Sequence, residues 1–156
     1  MLRALREDDY PAIIGVLDAW WGGRQMSDLL PRLFFQHFCD TSLAVEQDGR
    51  VVAFLVGFLS QSRPGEAYIH FVGVDPALRG RSVGRTLYER FFALARERGA
   101  RVVNCVTSPV NTGSIAFHRA LGFRLTPGDG EVDGVPVHLD YDGHGGSRVV
   151  FERDIA

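Results

Sequence analysis

At 156 residues the chain has the length of one domain, and its 46% hydrophobic and 23% charged residues suit a globular protein whose core needs no staples. Seventeen Lys and Arg against nineteen Asp and Glu leave a formal charge of −2, without the basic surplus of a nucleic-acid binder. The opening Met1-Leu2-Arg3-Ala4-Leu5-Arg6-Glu7 lacks the apolar stretch of a signal peptide, and no run reaches the roughly 18 apolar residues of a membrane helix, so the chain reads as cytoplasmic.

Leu2 to Leu5 can form a short strand. Asp8 and Asp9 then signal a helix start, with Pro11 in the first turn. Ile13, Ile14, Leu17 and Trp20/Trp21 follow at helical spacing until Gly22-Gly23 stops the helix. A second helix is expected over Leu29 to Phe38, with Pro31 in its first turn. Leu43 to Gln47, Asp48-Gly49 and Val51 to Leu59 spell a hairpin, because Asp-Gly supplies the positive φ angles of a two-residue type I′ turn. The second arm is almost wholly apolar, as for a strand covered on both faces.

Tyr68 to Val74 is another strand, ended by Asp75-Pro76. From Ser82 the period becomes helical through Val83, Leu87, Phe91 and Leu94/Ala95, with Gly99 as the stop. Val102 to Val106 is a short strand, and Ser114 to Leu121 a short helix closed by Gly122. Asp129 to Ile155 reads as one long hairpin with a mobile glycine-rich tip near Gly143–Gly146. With no repeats and no linker, the expectation is one α/β domain. Cys39 and Cys105 sit in apolar stretches as buried, reduced thiols, and no metal-ligand spacing joins them to the histidines.

Chemistry concentrates where the strand ending Val72-Gly73-Val74 passes through Asp75-Pro76 into Arg79-Gly80-Arg81-Ser82-Val83-Gly84. A helix N-terminus presents unpaired N–H groups and the positive end of the macrodipole to a phosphate, and small residues let the backbone come close. Arg79, Arg81 and Arg85 add positive charge there. By itself this pattern is also that of an ordinary helix opening.

The order Val74-Asp75-Pro76, Arg79 to Gly84, Leu87-Tyr88 resembles motif A of the GCN5-related N-acetyltransferases, the GNAT superfamily, whose pyrophosphate loop runs Gln/Arg-x-x-Gly-x-Gly/Ala. Arg79 and Gly84 match its first and last positions, while Ser82 stands where the first glycine is usual. Asn111 to Phe123, with Phe117-His118-Arg119-Ala120-Leu121-Gly122-Phe123, is similar to the family's motif B. The resemblance covers Tyr68 to Phe123. Trp20 to Arg24 and Leu30 to Phe35 resemble a bacterial subgroup with no assigned acceptor.

That resemblance implies residues 1–156 form a single N-acetyltransferase domain, with a mixed, mostly antiparallel sheet of six or seven strands and about four helices. It implies that the central strands splay apart, and that acetyl-CoA enters the gap along Phe71, Val72, Gly73 and Val74. The pyrophosphate would lie on Arg79, Gly80, Arg81, Ser82, Val83, Gly84 and Arg85, with Asn111, Ser114 and Phe117 beside it. No metal is implied. An amine, on a small molecule or a peptide, would attack the thioester directly from beneath the first two helices.

His118 stands where the family usually has a tyrosine that protonates the CoA sulfur. A histidine can donate from one ring nitrogen, or it can be a polar position on the outer helix face. Strand alternation gives His70 the same face as Tyr68, Val72 and Val74. It is a candidate base for the amine, with Glu66 or a water chain as alternatives. Trp20 and Trp21 cannot share one helical stripe, since neighbours lie about 100° apart. One is expected inside and the other over a ligand or another chain, and Arg24 offers a fork for an anionic group on the acceptor. A CoA-binding sensor without turnover is the rival reading, and sheet edges near the C-terminus would allow a homodimer.

Overall fold

In the computed structural model, which describes residues 1–156, the chain runs through four α-helices and nine strands. Seven strands form one sheet in the order β1 (Leu2–Ala4), β2 (Leu43–Gln47), β3 (Arg50–Leu59), β4 (Glu66–Val74), β5 (Val102–Thr107), β9 (Val149–Asp154), β6 (Arg124–Leu125). All neighbours are antiparallel except β4 and β5. Asp48 and Gly49 turn β2 into β3 at φ of 52° and 75°, as the Asp-Gly pair requires.

One face of the sheet carries α3 (Val83–Glu97) and α4 (Thr112–Ala120) over a core holding Leu87, Phe91, Val103, Phe123 and Phe151. The other carries α1 (Tyr10–Trp20) and α2 (Leu33–His37) over Ile13, Leu17, Phe35 and Phe54. Polar caps appear where short side chains permit: the Asn111 carboxamide accepts from the Ser114 amide and starts α4.

Two expected elements differ. The second helix is only Leu33–His37, preceded by a 3₁₀ turn at Ser27–Leu29, because Pro31 restricts the residue before it and closes off a longer helix. The C-terminal segment is not one long hairpin. β7 (Gly130–Val132) and β8 (Val135–Val137) make a separate two-stranded ribbon around Asp133-Gly134, and only the His138–Arg148 bridge continues it. β9 instead covers the free edge of β5 over its whole length and buries Val149 and Phe151 completely. Burying those two side chains outweighs extending an exposed ribbon.

The parallel pair positions the site. β4 and β5 pair only at Glu66–Tyr68 with Val102–Asn104, and beyond Tyr68 they separate. A bulge sharpens the opening: Val56 pairs with Phe71 and Gly57 with Ile69, leaving His70 as the extra residue.

Candidate active site

Two cavities meet at the separation of β4 and β5. The first, about 370 Å³, lies between the β4 end, the loop into α3 and the side of α4. The second, about 290 Å³, opens toward the α1–α2 connection and the glycine-rich tip. Trp21, Val72, Tyr88, Ser114 and His118 border both, so a molecule filling one abuts a molecule filling the other.

Val72, Val74, Arg79, Gly80, Val83, Gly84, Ser114 and Phe117, all among the residues expected along the cofactor, come together in the wall of the first cavity. The amides of Val83, Gly84 and Arg85 find no backbone acceptor within the chain, the ordinary state of an α-helix opening. Ser82 explains why a glycine is usual at its position: as the residue before α3 it adopts φ 61°, ψ 20°, the left-handed conformation. Arg79 does more than carry charge, since its Nη2 donates to the Trp20 carbonyl at 2.8 Å and ties the loop to the end of α1. Gly73 serves packing. A Cβ there would sit 2.5 Å from the Phe54 ring, so glycine lets that ring cross the strand. Phe71 is buried against Phe54 and Trp21. Arg81, Ser82 and Arg85 rim the loop outside the lining, with Arg85 3.6 Å from Glu89, and Asn111 lines the second cavity rather than the first.

The second cavity gathers side chains from distant segments: Trp21 and Arg24 after α1, Tyr68 and His70 on β4, Thr107 and Ser108 at the end of β5, Asp142 and Arg148 from the tip. The tryptophan pair divides as expected. Trp20 is buried on Phe54 and lines neither cavity, whereas Trp21 borders both. Glu66 is outside the lining, held by Asn104 and Arg63.

His70 corrects the alternation argument. As the bulge residue it stacks on Phe34 of α2, with ring centroids 4.1 Å apart, while Val72 and Val74 pack on the opposite, α3 side. Its Nε2 lies 2.7 Å from the Leu29 carbonyl. A carbonyl only accepts, so Nε2 carries the proton and Nδ1 keeps a lone pair. Burial lowers its pKa, opposed by the Leu29 carbonyl and Asp142, so the ring is neutral at pH 7.

His118 is not on a polar surface. It is 6% exposed and stacked on Phe151 at 4.5 Å. Its Nδ1 lies 2.7 Å from the Ser114 carbonyl, and its Nε2 lies 2.8 Å from the Tyr88 hydroxyl. Burial lowers the His118 pKa and raises that of Tyr88.

In the sequence Tyr88 stands out only as the end of the motif A resemblance, beside Leu87, with no chemical role attached. The sequence offers no signal for Asp142 and Arg148, which lie in a tip that reads as free loop. That tip is tied down: the Asp142 amide donates to the Gly146 carbonyl, the Gly145 amide to the Asp140 carboxylate, and Arg148 Nε to Asp142 at 2.9 Å.

The Acetyltransferase (GNAT) family profile matches residues 2–123. The chain belongs to that family. It is 32% identical over 92 residues to an L-2,4-diaminobutyric acid acetyltransferase of Nocardia farcinica, covering 59% of this chain and 48% of that one. It is 36% identical over 75 residues to the N-alpha-acetyltransferase RimI of Mycobacterium tuberculosis, covering 45% and 46%. The chain thus spans about half the length of these curated relatives. Among solved structures, Ard1 from Thermoplasma volcanium superposes with a TM-score of 0.79 at 20% identity, covering 100% of this chain and 97% of that one. YncA of Salmonella typhimurium, solved with its cofactor acetyl-CoA, gives 0.69 at 21% over 100% and 94%. These two likenesses establish the fold.

Proposed function

We propose that the protein moves an acetyl group from acetyl-CoA to a primary amine on a small acceptor that also carries an anionic group, by direct attack within a ternary complex. The observation that carries this reading is the pair of cavities sharing Trp21, Val72, Tyr88, Ser114 and His118 across the gap between β4 and β5. A thioester seated in the first would present its carbonyl where the second begins. Amine attack on a thioester needs little beyond alignment and proton removal, so such a junction is what catalysis requires.

The loop into α3 suits the CoA pyrophosphate, with free amides at the helix opening and Gly84 allowing close approach. Direct transfer is favoured over an acyl-enzyme because neither thiol is an activated nucleophile. Cys105 is buried with its pKa pushed up, and burial likewise raises Cys39, whose thiol donates to the Phe35 carbonyl. The acceptor amine arrives as an ammonium and must lose a proton before attack. His70 is the candidate base, a neutral ring in the second cavity with one nitrogen lone pair uncommitted by its bond to Leu29.

For the acceptor, the second cavity offers two guanidinium groups, Arg24 and Arg148, against the one carboxylate of Asp142. That balance fits a carboxylate or phosphate carried alongside the amine. The diaminobutyrate-acetylating relatives point the same way. Free-CoA release should be measured with L-2,4-diaminobutyrate and other amino acids, polyamines, aminoglycosides and short peptides. Turnover is expected with an amino-acid-like acceptor. A polycation as best acceptor overturns the anionic part of the reading, and acetyl-CoA binding without turnover on any amine makes the protein a CoA-binding module.

A further inference from the structure

The Tyr88–His118 pair has a direction written into its hydrogen bonds. The Ser114 carbonyl can only accept, so the 2.7 Å contact places the His118 proton on Nδ1. Nε2 is then a lone pair, and across 2.8 Å it is the Tyr88 O–H that donates. The phenol oxygen is left with its own lone pairs for a further donor. Stacking on Phe151 and edge contacts to Phe123 and Phe117 hold the imidazole plane, and a half-turn within that plane would put carbon atoms against the Ser114 carbonyl and the Tyr88 hydroxyl, forfeiting both bonds. Both residues border both cavities.

We propose that Tyr88 and His118 form a proton shuttle that takes the second proton from the attacking amine and returns it to the departing CoA sulfur. This rests on the acetyl-transfer reading above. It also departs from the sequence expectation that His118 itself donates to sulfur. The balance is closed. The acceptor ammonium first loses one proton to His70, and that proton leaves to solvent. The neutral amine forms the N–C bond, giving a tetrahedral adduct with a positive nitrogen and a negative oxygen. That nitrogen gives its proton to the Tyr88 oxygen as the Tyr88 proton moves to His118 Nε2. The C–S bond breaks as the oxyanion's electron pair restores the carbonyl, and the sulfur leaves as a thiolate. The imidazolium returns its proton through Tyr88 to the sulfur. No proton is drawn from solvent and no co-reactant is needed.

The energetics run the right way. A free thiol has a pKa of about 8.5 and an unperturbed histidine about 6.5, so an imidazolium weakened by burial gives its proton to a thiolate downhill. A buried phenol alone would have to give it uphill.

The test has two arms. In histidine-nitrogen-labelled protein with CoA bound, the NMR shifts of His118 should show a neutral Nδ1–H ring at pH 7. A proton on Nε2, or a charged ring, overturns the shuttle whether or not an acceptor is known. Kinetics then compare Tyr88→Phe, His118→Gln and the double variant, with the best amine from the panel or, if none is used, with water in slow acetyl-CoA hydrolysis. Each single variant should lose on the order of 10²–10⁴-fold in kcat with the acetyl-CoA KM within about twofold, and the double variant should lose no more than the worse single one. Losses that multiply in the double variant, a Tyr88→Phe loss under about threefold, or an effect confined to KM would each overturn it. An intact tautomer with no turnover on amine or water overturns the shuttle and the acetyl-transfer reading together. An intact tautomer with the predicted kcat pattern on water alone keeps the shuttle and counts against the amine acceptor.

Discussion

The first cavity, proposed for the cofactor, draws most of its lining from the run Val72–Gly84 and from α4, with Trp21 and Tyr88 added, whereas the second, proposed for the acceptor, collects Trp21 and Arg24, His70, and Asp142 and Arg148 from three separate places in the chain. The first offers mainly backbone: helix-opening amides, glycines and a left-handed Ser82. The second offers side chains, including two guanidiniums and a carboxylate. Backbone geometry is dictated locally, so it constrains which residues can stand in a short window. Side-chain assembly depends on tertiary folding and leaves each contributor looking like an ordinary surface residue. A CoA site is therefore easier to read from a sequence than the acceptor site beside it.

Substitutions on the two sides should accordingly fail in different ways. The largest effect is expected at His70. His70→Gln keeps a donor for the Leu29 carbonyl but removes the basic nitrogen, and kcat should fall on the order of 10²–10⁴-fold with acetyl-CoA affinity unchanged. The parent should also show the pH dependence of a base whose pKa is lowered in the folded state. Since burial lowers the His70 pKa below the usual value, kcat is flat above pH ~6.5 and falls only as the pH drops below that. A rate that keeps rising well above pH 7 would return the base role to a water chain.

On the cofactor side, Gly84→Glu puts a carboxylate in the loop, where even a Cβ would lie 3.5 Å from the Phe117 ring. Acetyl-CoA at 100 times its Kd should stabilise the parent by about 2.7 kcal/mol, seen as a rise in Tm, and the variant should show none of it. An undiminished rise would remove the pyrophosphate from this loop. The acceptor side should respond in the complementary way. Arg24→Gln should raise the acceptor KM by about tenfold, roughly 1.4 kcal/mol, while the acetyl-CoA KM stays put. If both KM values move together, Arg24 belongs to the shared wall and the two halves are not separable.

How far the sequence reaches follows the same division. The Asp48-Gly49 hairpin, the strand at Tyr68–Val74, the helix opening at Val83 and its stop near Gly99 all follow from turn chemistry and period, and all are present. The helix expected over Leu29 to Phe38 shrank because Pro31 acts as a start signal, so α2 begins only beyond it. The tail differs from the single hairpin because a strand whose apolar part is only Val149-Val150-Phe151 does not say which edge it will cover, and β5 offers a better one than β8. His70 illustrates the subtler failure. A bulge inserts one residue and reverses alternation, and nothing in Tyr68-Ile69-His70-Phe71-Val72 marks where that occurs. His118 was visible as a departure from a motif, but its partner Tyr88 is thirty positions away and emerges only when α3 and α4 pack.

The smallest expected effect tests whether the cofactor half depends on backbone alone. Ser82 holds a left-handed conformation that costs an L-residue about 1–2 kcal/mol. Its hydroxyl caps nothing at α3, and its carbonyl, which a glycine would keep, accepts from the Thr86 amide and hydroxyl at 3.0 Å each. Ser82→Gly should relieve that strain. Glycine's larger unfolded-state entropy takes back roughly 0.5–1 kcal/mol, which leaves a net gain of about 0.5 kcal/mol. For a domain of this size that corresponds to a rise in Tm of about 1–2 °C. The acetyl-CoA Kd should stay within about twofold, because the loop already has the shape a glycine would give it. A tighter test lies in the sign of each shift. If Tm falls, the serine side chain supports the loop in a way its backbone angles do not show. If Tm rises while acetyl-CoA binds several-fold more weakly, the hydroxyl contacts the cofactor, and the cofactor half also reads its ligand through a side chain.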